Sequence, residues 1–249
     1  MSLTIVLVHP DLLGTYGDGG NGLVLARRAR WRGIESQLIE ATSGAPVPTG
    51  DLYCLGGGED AAQTASAERL RAQGILERAA GRGAAVLGVC AGYQILGRSF
   101  AAADGRALPG VGLLDVRTVK ASGRRAVGEV LAEPIDGRLP LLTGFENHGG
   151  LTTRGPDAAP LARVKSGIGN GDGSEGAVSG RVVGTYLHGP VLARNPALAD
   201  LLLSWATGLS LEPLDDGEEQ ALREERLGAG AAARAGRSRR RTRYGVGAS

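Results

Sequence analysis

The chemistry legible in this sequence centres on one cysteine. In Ala84-Ala-Val-Leu-Gly-Val-Cys-Ala-Gly-Tyr-Gln94 a short apolar run with the pattern of a buried strand ends at Cys90, and a helical pattern starts directly after it. Gly88 and Gly92 lie two residues to either side. G-x-C-x-G is the thiol counterpart of the nucleophile elbow, in which small neighbours permit a strained strand-to-helix turn that lifts the side chain out of the sheet. A helix N-terminus favours a thiolate, and its backbone N–H groups, Ala91's above all, suit a tetrahedral oxyanion. Cys54 lies inside Asp51–Leu55 with no elbow around it and reads as a packing residue.

A thiol acting as a nucleophile needs a base that takes its proton and can return it to a leaving group. The chain offers three histidines: His9, His148 and His188. His188 closes the strand-like run Arg181–Leu187, and in an open parallel sheet the C-terminal ends of strands gather at one edge. That placement makes His188 the candidate base for Cys90. His148, in Gly144-Phe-Glu-Asn-His-Gly-Gly150, reads as adjacent to the site, and His9 as a loop histidine.

These residues need a scaffold. Leu3–Val8, Glu35–Glu40, Asp51–Leu55 and Ala84–Val89 read as buried strands; Leu23–Arg32, Ala67–Arg82 and Ala91–Gly97 read as helices between and after them. This alternation predicts an α/β fold with a mostly parallel central sheet and helices on both faces. From Leu113 to Leu187 the pattern changes to shorter strand-like pieces: Leu113–Val119, Ala126–Leu131, Gly144–Asn147, Ala177–Ser179 and Arg181–Leu187. Ala197–Ala206 reads as a terminal helix and Glu218–Arg226 as a weaker one. The organisation expected is a main domain over residues 1–208, a helical extension over 209–227 and a disordered Arg/Gly/Ala-rich tail over 228–249.

The formal net charge of +2 is unevenly spread. Residues 228–249 hold six of the 28 basic residues and no acidic one, which leaves 22 basic against 26 acidic residues in the rest. A body of that sign argues against nucleic acid as the main ligand. Two cysteines are too few for a disulfide framework, and no run has the character of a signal peptide or a membrane span, so the cytoplasm is the expected location.

Gly-Val-Cys-Ala-Gly-Tyr-Gln-Ile-Leu-Gly97 resembles the nucleophile motif of class I (triad-type) glutamine amidotransferases, the cobyric-acid-synthase-like branch in particular. Gly184-Thr-Tyr-Leu-His-Gly-Pro190 resembles that family's histidine motif. The resemblance implies a flavodoxin-like fold and a cysteine that attacks the side-chain amide of L-glutamine, releasing ammonia and leaving a glutamyl thioester for water. The broad family places a glutamate two residues after the histidine, whereas this chain has Pro190. Either Asp18, whose loop also leaves a strand end, orients the imidazole, or the site works as a dyad.

Tyr16-Gly-Asp-Gly-Gly-Asn21, Gly56-Gly-Gly-Glu-Asp60 and Gly144–Gly150 together resemble the GatD-type glutaminase subunits of lipid II isoglutaminyl synthases, over about residues 3–208. By that resemblance Asp18 takes the third catalytic place, and an arginine of Gly123-Arg-Arg-Ala-Val-Gly128 binds glutamine. Arg125 is the better match by position and Arg124 the alternative; a guanidinium suits an α-carboxylate through paired hydrogen bonds. Gly57 and Gly58 would complete the oxyanion hole, because a glycine-rich turn can aim N–H groups inward. The partner implied is a MurT-like Mur ligase subunit, forming a heterodimer and reaching lipid II on this chain's behalf. No metal or cofactor is expected in this chain, with ATP and Mg in the partner ligase. The two lysines, Lys120 and Lys165, sit in no G-x-x-x-x-G-K-[ST] loop, so the activation that amide formation requires would come from a separate synthetase.

Three rival readings remain at this level. Gly17-Asp-Gly-Gly-Asn-Gly22 matches G-x-G-x-x-G, a dinucleotide-binding pattern, but His9–Tyr16 intervene where that fingerprint requires a tight turn. A cobyrinate-type amidotransferase and a non-catalytic partner-binding subunit are the others. The arginine-rich tail is compatible with contact to anionic lipid head groups.

Overall fold

Short β-branched and aliphatic runs between glycine-rich turns build the central sheet. The computed structural model describes residues 2–221 and 223–225. In chain order the first half contains β1 (Leu3–Val8), α1 (Gly20–Trp31), β2 (Ser36–Ala41), β3 (Leu52–Leu55), α2 (Asp60–Gln73), α3 (Ile75–Gly81), β4 (Ala85–Val89) and α4 (Ala91–Leu96). There follow β5 (Ser99–Ala101), β6 (Ala107–Pro109), β7 (Val116–Lys120), β8 (Ala126–Pro134), β9 (Leu142–His148) and β10 (Gly150–Arg154). The last elements are β11 (Ala162–Ser166), β12 (Ser174–Glu175), β13 (Ala177–Ser179), β14 (Val182–Thr185), α5 (Val191–Arg194) and α6 (Pro196–Thr207).

The central sheet has the order β13-β14-β4-β3-β1-β2. Five of its strands are parallel, and β13 alone pairs antiparallel, against β14. β3 and β4 are buried along their whole length, as strands covered on both faces must be. Each fully buried aliphatic side chain here, such as Ile5, Leu52 or Leu87, contributes about 1.5–3 kcal/mol by leaving water.

Two differences from the sequence reading have simple causes. The single helix expected over Ala67–Arg82 is two helices, because Gly74 adopts φ 58° and ψ 23° and closes α2 before α3 begins. The region after α4 carries two further four-stranded sheets, β10-β7-β5-β6 and β12-β11-β8-β9. Strands β5, β6, β10, β11 and β12 have two to five residues each, and none carries the aliphatic run that marks β1 and β4 in the sequence.

The chain divides after Pro213, later than the expected boundary at 208. Arg32 Nε donates to the Glu212 carbonyl at 3.0 Å, Ser204 Oγ donates to the Leu209 carbonyl at 2.7 Å, and Leu211 packs on the core. In the second unit the described residues are helical over 217–221 and 223–225; the 228–249 tail lies outside the described residues. Among the described residues no helix is long and apolar enough to cross a membrane.

Asn195, fully buried, joins the end of α5 to β9. Its Oδ1 accepts from Thr143 N–H at 2.9 Å, and its Nδ2 donates to the carbonyls of Thr143 at 2.8 Å and Val191 at 2.7 Å. Asn195→Ala strands these buried backbone groups and is expected to cost about 2–4 kcal/mol. Chemical-denaturation midpoints compared at constant slope measure the loss.

Candidate active site

Four strand ends of the central sheet deliver the candidate residues. β1 leads into the loop carrying Asp18, β3 into Gly56–Gly58, β4 into Cys90 and β14 into His188. Cys90 sits at φ 53° and ψ −104°, a region that L-residues avoid. Its N–H donates to the Thr185 carbonyl at 2.8 Å and its carbonyl accepts from Gln94 N–H at 3.1 Å, so strand and helix hold the strained residue from both sides. The flanking glycines are sterically required. A Cβ at Gly88 would lie 2.6 Å from Leu96 Cδ1, and one at Gly92 would lie 2.6 Å from the Leu55 carbonyl oxygen.

His188 and Asp18 are both buried, and Nδ1 of the imidazole meets Asp18 Oδ2 at 2.9 Å. The same Oδ2 accepts the Gly57 N–H at 2.8 Å. A Cβ built on Gly57 would lie 2.8 Å from His188 Cε1, 3.2 Å from Asp18 Oδ2 and 3.6 Å from Cys90 Cβ, which fixes how tightly the three converge. His188 Nε2 is buried and has no hydrogen-bond partner among the described residues. Nucleophile and base are commonly loose before substrate arrives. Burial, the largest influence on the imidazole, lowers its pKa; interactions with Asp18 and Cys90 outweigh it and lift His188 to about 9.

Asp18 is thus the carboxylate that meets the imidazole, and position 190, two residues after His188, is proline. Gly57 departs from the sequence expectation: its N–H is committed to the Asp18 carboxylate, so it holds the orienting acid and is not available to an oxyanion. Gly58 and Ala91 both line the cavity beside Cys90. Gly57→Ala, with no room for its methyl against the imidazole, is expected to lower glutamine turnover about 10²-fold, the scale of an ångström-sized displacement. Steady-state kinetics alongside an unchanged circular dichroism spectrum would establish it.

The cavity has a volume of about 170 Å³, and Cys90, Gln94, Arg125 and His148 are among its lining residues. Arg124 is not. Arg125 donates from Nε to Asn147 Oδ1 and from Nη2 to the Asn147 carbonyl, both at 3.1 Å. His148 stacks on Tyr186 with centroids 3.7 Å apart and places Nε2 3.4 Å from Glu146 Oε2. His9 is fully buried, unlike a surface loop residue: Nδ1 pairs with Ser66 Oγ at 2.9 Å, and its carbonyl accepts the N–H groups of Leu12 and Leu13.

Sequence reasoning missed three contributors. Tyr16 covers His188 with ring centroids 4.8 Å apart. Glu175, fully buried, accepts from Thr185 Oγ1 and from Tyr186 N–H at 3.0 Å, directly behind the strand that receives the Cys90 N–H; burial pushes its carboxyl up to about 7. Glu146 accepts the N–H groups of Ile168 and Gly169 at 2.8 and 2.9 Å. Glu146 and Tyr16 had a signal, their places in the E-N-H-G-G and Tyr16–Asn21 stretches; Glu175 had none. Of the three glycines of the G-x-G-x-x-G pattern, Gly17 sits at φ 74° and a Cβ at Gly22 would lie 2.7 Å from Leu7 Cδ2, while one at Gly19 would meet Leu7 Cδ1 at an ordinary 3.9 Å.

Residues 4–196 match the family of CobB/CobQ-like glutamine amidotransferase domains. The chain is 34% identical to the GatD subunit of the lipid II isoglutaminyl synthase (glutamine-hydrolyzing) of Staphylococcus aureus, over 90% of this chain and 94% of that one. It is 43% identical to the cobyric acid synthase of Methylorubrum populi, over 63% of this chain and 32% of that one. In fold it is similar to a glutamine amidotransferase from Thermotoga maritima, with a TM-score of 0.52, 18% identity and coverage of 89% and 93%.

Proposed function

The chain belongs to the CobB/CobQ-like glutamine amidotransferase family, and from that premise we propose that it is the glutamine-hydrolysing subunit of a lipid II isoglutaminyl synthase. In this reading it works in the cytoplasm and hands ammonia to a MurT-type, ATP-dependent ligase that amidates D-glutamate of lipid II. One observation carries the choice of pathway: the likeness runs through 94% of the Staphylococcus GatD subunit but 32% of the cobyric acid synthase.

The geometry supports a thioester route. Cys90 Sγ attacks the side-chain carbonyl carbon of glutamine, whose α-carboxylate Arg125 is suited to hold. Negative charge develops on the carbonyl oxygen, where the N–H groups of Ala91 and Gly58 stabilise it. His188, having taken the thiol proton, returns it from Nε2 to the nitrogen, and the C–N bond breaks to release ammonia. A water then attacks the thioester with His188 again as base, yielding glutamate and the restored thiol. Asp18, fixed by Gly57, holds the imidazole so that Nε2 faces the sulfur.

The deciding experiment supplies glutamine labelled with ¹⁵N in its amide to the chain, its co-purifying ligase, ATP, Mg and lipid II. Label in the α-amide of the second stem-peptide residue supports the reading. Label in cobyrinate side chains and none in lipid II, when both acceptors are offered with their ligases, would transfer the protein to the other pathway.

A further inference from the structure

Tyr16 stands between the two halves of the site. Its backbone is at φ 62°, in the left-handed region, and Thr15 beside it donates its N–H to the Gly57 carbonyl at 3.1 Å. The strand-like bridge between Thr15 and Gly57 thus pins this turn to the same glycine that holds Asp18. The ring covers His188 at 4.8 Å and 58°, while the hydroxyl oxygen accepts a hydrogen bond from Asn147 Nδ2. Asn147 in turn receives two hydrogen bonds from Arg125, on its side-chain and main-chain oxygens. A continuous set of contacts therefore runs from the imidazole through Tyr16 and Asn147 to the guanidinium. Tyr16 is 46% exposed, so little of the folded core depends on it.

We propose that Tyr16 is a positioning residue that couples the arm receiving the substrate's carboxylate to the orientation of the His188 base. The inference rests on the proposed roles of His188 and Arg125. The two ends of the side chain do separate work. The hydroxyl keeps Asn147, and through it Arg125, at the height of the cavity where a glutamine α-carboxylate docks. The ring limits the swing of the imidazole, whose remaining anchor is the single bond from Nδ1 to Asp18. A ring on one side and a carboxylate on the other leave Nε2 one direction to face. Filling the carboxylate arm steadies Asn147, and with it the phenol that covers the base, so occupied substrate and aligned base arise together.

The test compares wild type, Tyr16→Phe and Tyr16→Ala in glutamine hydrolysis with the ligase present, together with thermal unfolding. Tyr16→Phe retains the ring but cuts its link to Asn147, and is expected to raise KM about tenfold and to lower kcat about threefold, since the loss of the polar anchor reaches both the binding arm and the base. Tyr16→Ala is expected to raise KM likewise and to lower kcat a further ~10-fold, with Tm within about 2 °C of wild type in both variants. Wild-type kinetics in both variants would overturn the coupling, as would equal kcat in Phe and Ala variants or a Tm loss that tracks the activity loss. If wild type itself hydrolyses no glutamine, the functional reading fails instead, and the two failures are thereby distinguished.

Discussion

Cys90→Ala is expected to lower glutamine hydrolysis by about 10⁵-fold while ligase-bound amidation from added ammonium salts stays within about twofold. The size follows from the chemistry. Removing the nucleophile of a triad leaves only binding and oxyanion stabilisation, and losses of this order accompany such a deletion. The selectivity follows from the packing. Cys90 is 9% exposed, and its backbone is held by Thr185 and Gln94; alanine removes the sulfur, and with it little of the core. Continuous ammonia detection gives the first number, and mass spectrometry of the amidated stem peptide gives the second. Loss of both activities would mean that the substitution disrupts assembly and would remove the basis for reading Cys90 as the nucleophile.

The second large effect concerns Asp18. Asp18→Asn is expected to lower kcat about 10²–10³-fold, less than substitutions that reverse the tautomer of a catalytic histidine, which cost about 10⁴. The reason lies in the Gly57 N–H. It points at the Oδ2 position, so an amide at residue 18 places its oxygen there and still accepts from His188 Nδ1. The tautomer survives and the charge is lost. Without that charge the imidazolium is less stable, so the alkaline limb of the rate profile, expected near pH 9 in wild type, moves down towards the ordinary histidine value of 6.5. The stability sign agrees: a raised imidazole pKa contributes stability that is complete below about 6.5 and lost as pH rises through about 9. An unshifted limb in Asp18→Asn would detach the carboxylate from the base.

How much of this was visible in the residues alone depended on how local each feature is. The elbow was legible because its geometry is written within five positions: a thiol with glycine two residues to either side, between an apolar run and a helix. Strands β1 and β13 fall where the pattern put them, and β4 starts one residue later, since short runs bounded by turns leave little choice. Asp18 was accessible only through the vacancy at Pro190 and a family likeness, because the contact spans 170 positions in sequence. Gly57 was read as a donor to substrate; that its N–H turns to Asp18 instead depends on how two loops meet. Tyr16 stood in a quoted stretch without pointing to a role of its own, and Glu175 carried no signal at all. One is a loop residue whose value comes from facing His188, and the other sits in a two-residue strand, β12. That Arg125 and not Arg124 lines the cavity follows from the path of the chain entering β8, which two adjacent arginines cannot reveal.

The most direct test of the central claim is covalent labelling with a diazoketone analogue of glutamine, followed by peptide mapping. The account predicts one adduct, on Cys90, which free glutamine prevents and whose formation parallels the loss of glutaminase activity. Inactivation with Cys90 unmodified, or an adduct on Cys54 that tracks the loss, would contradict it.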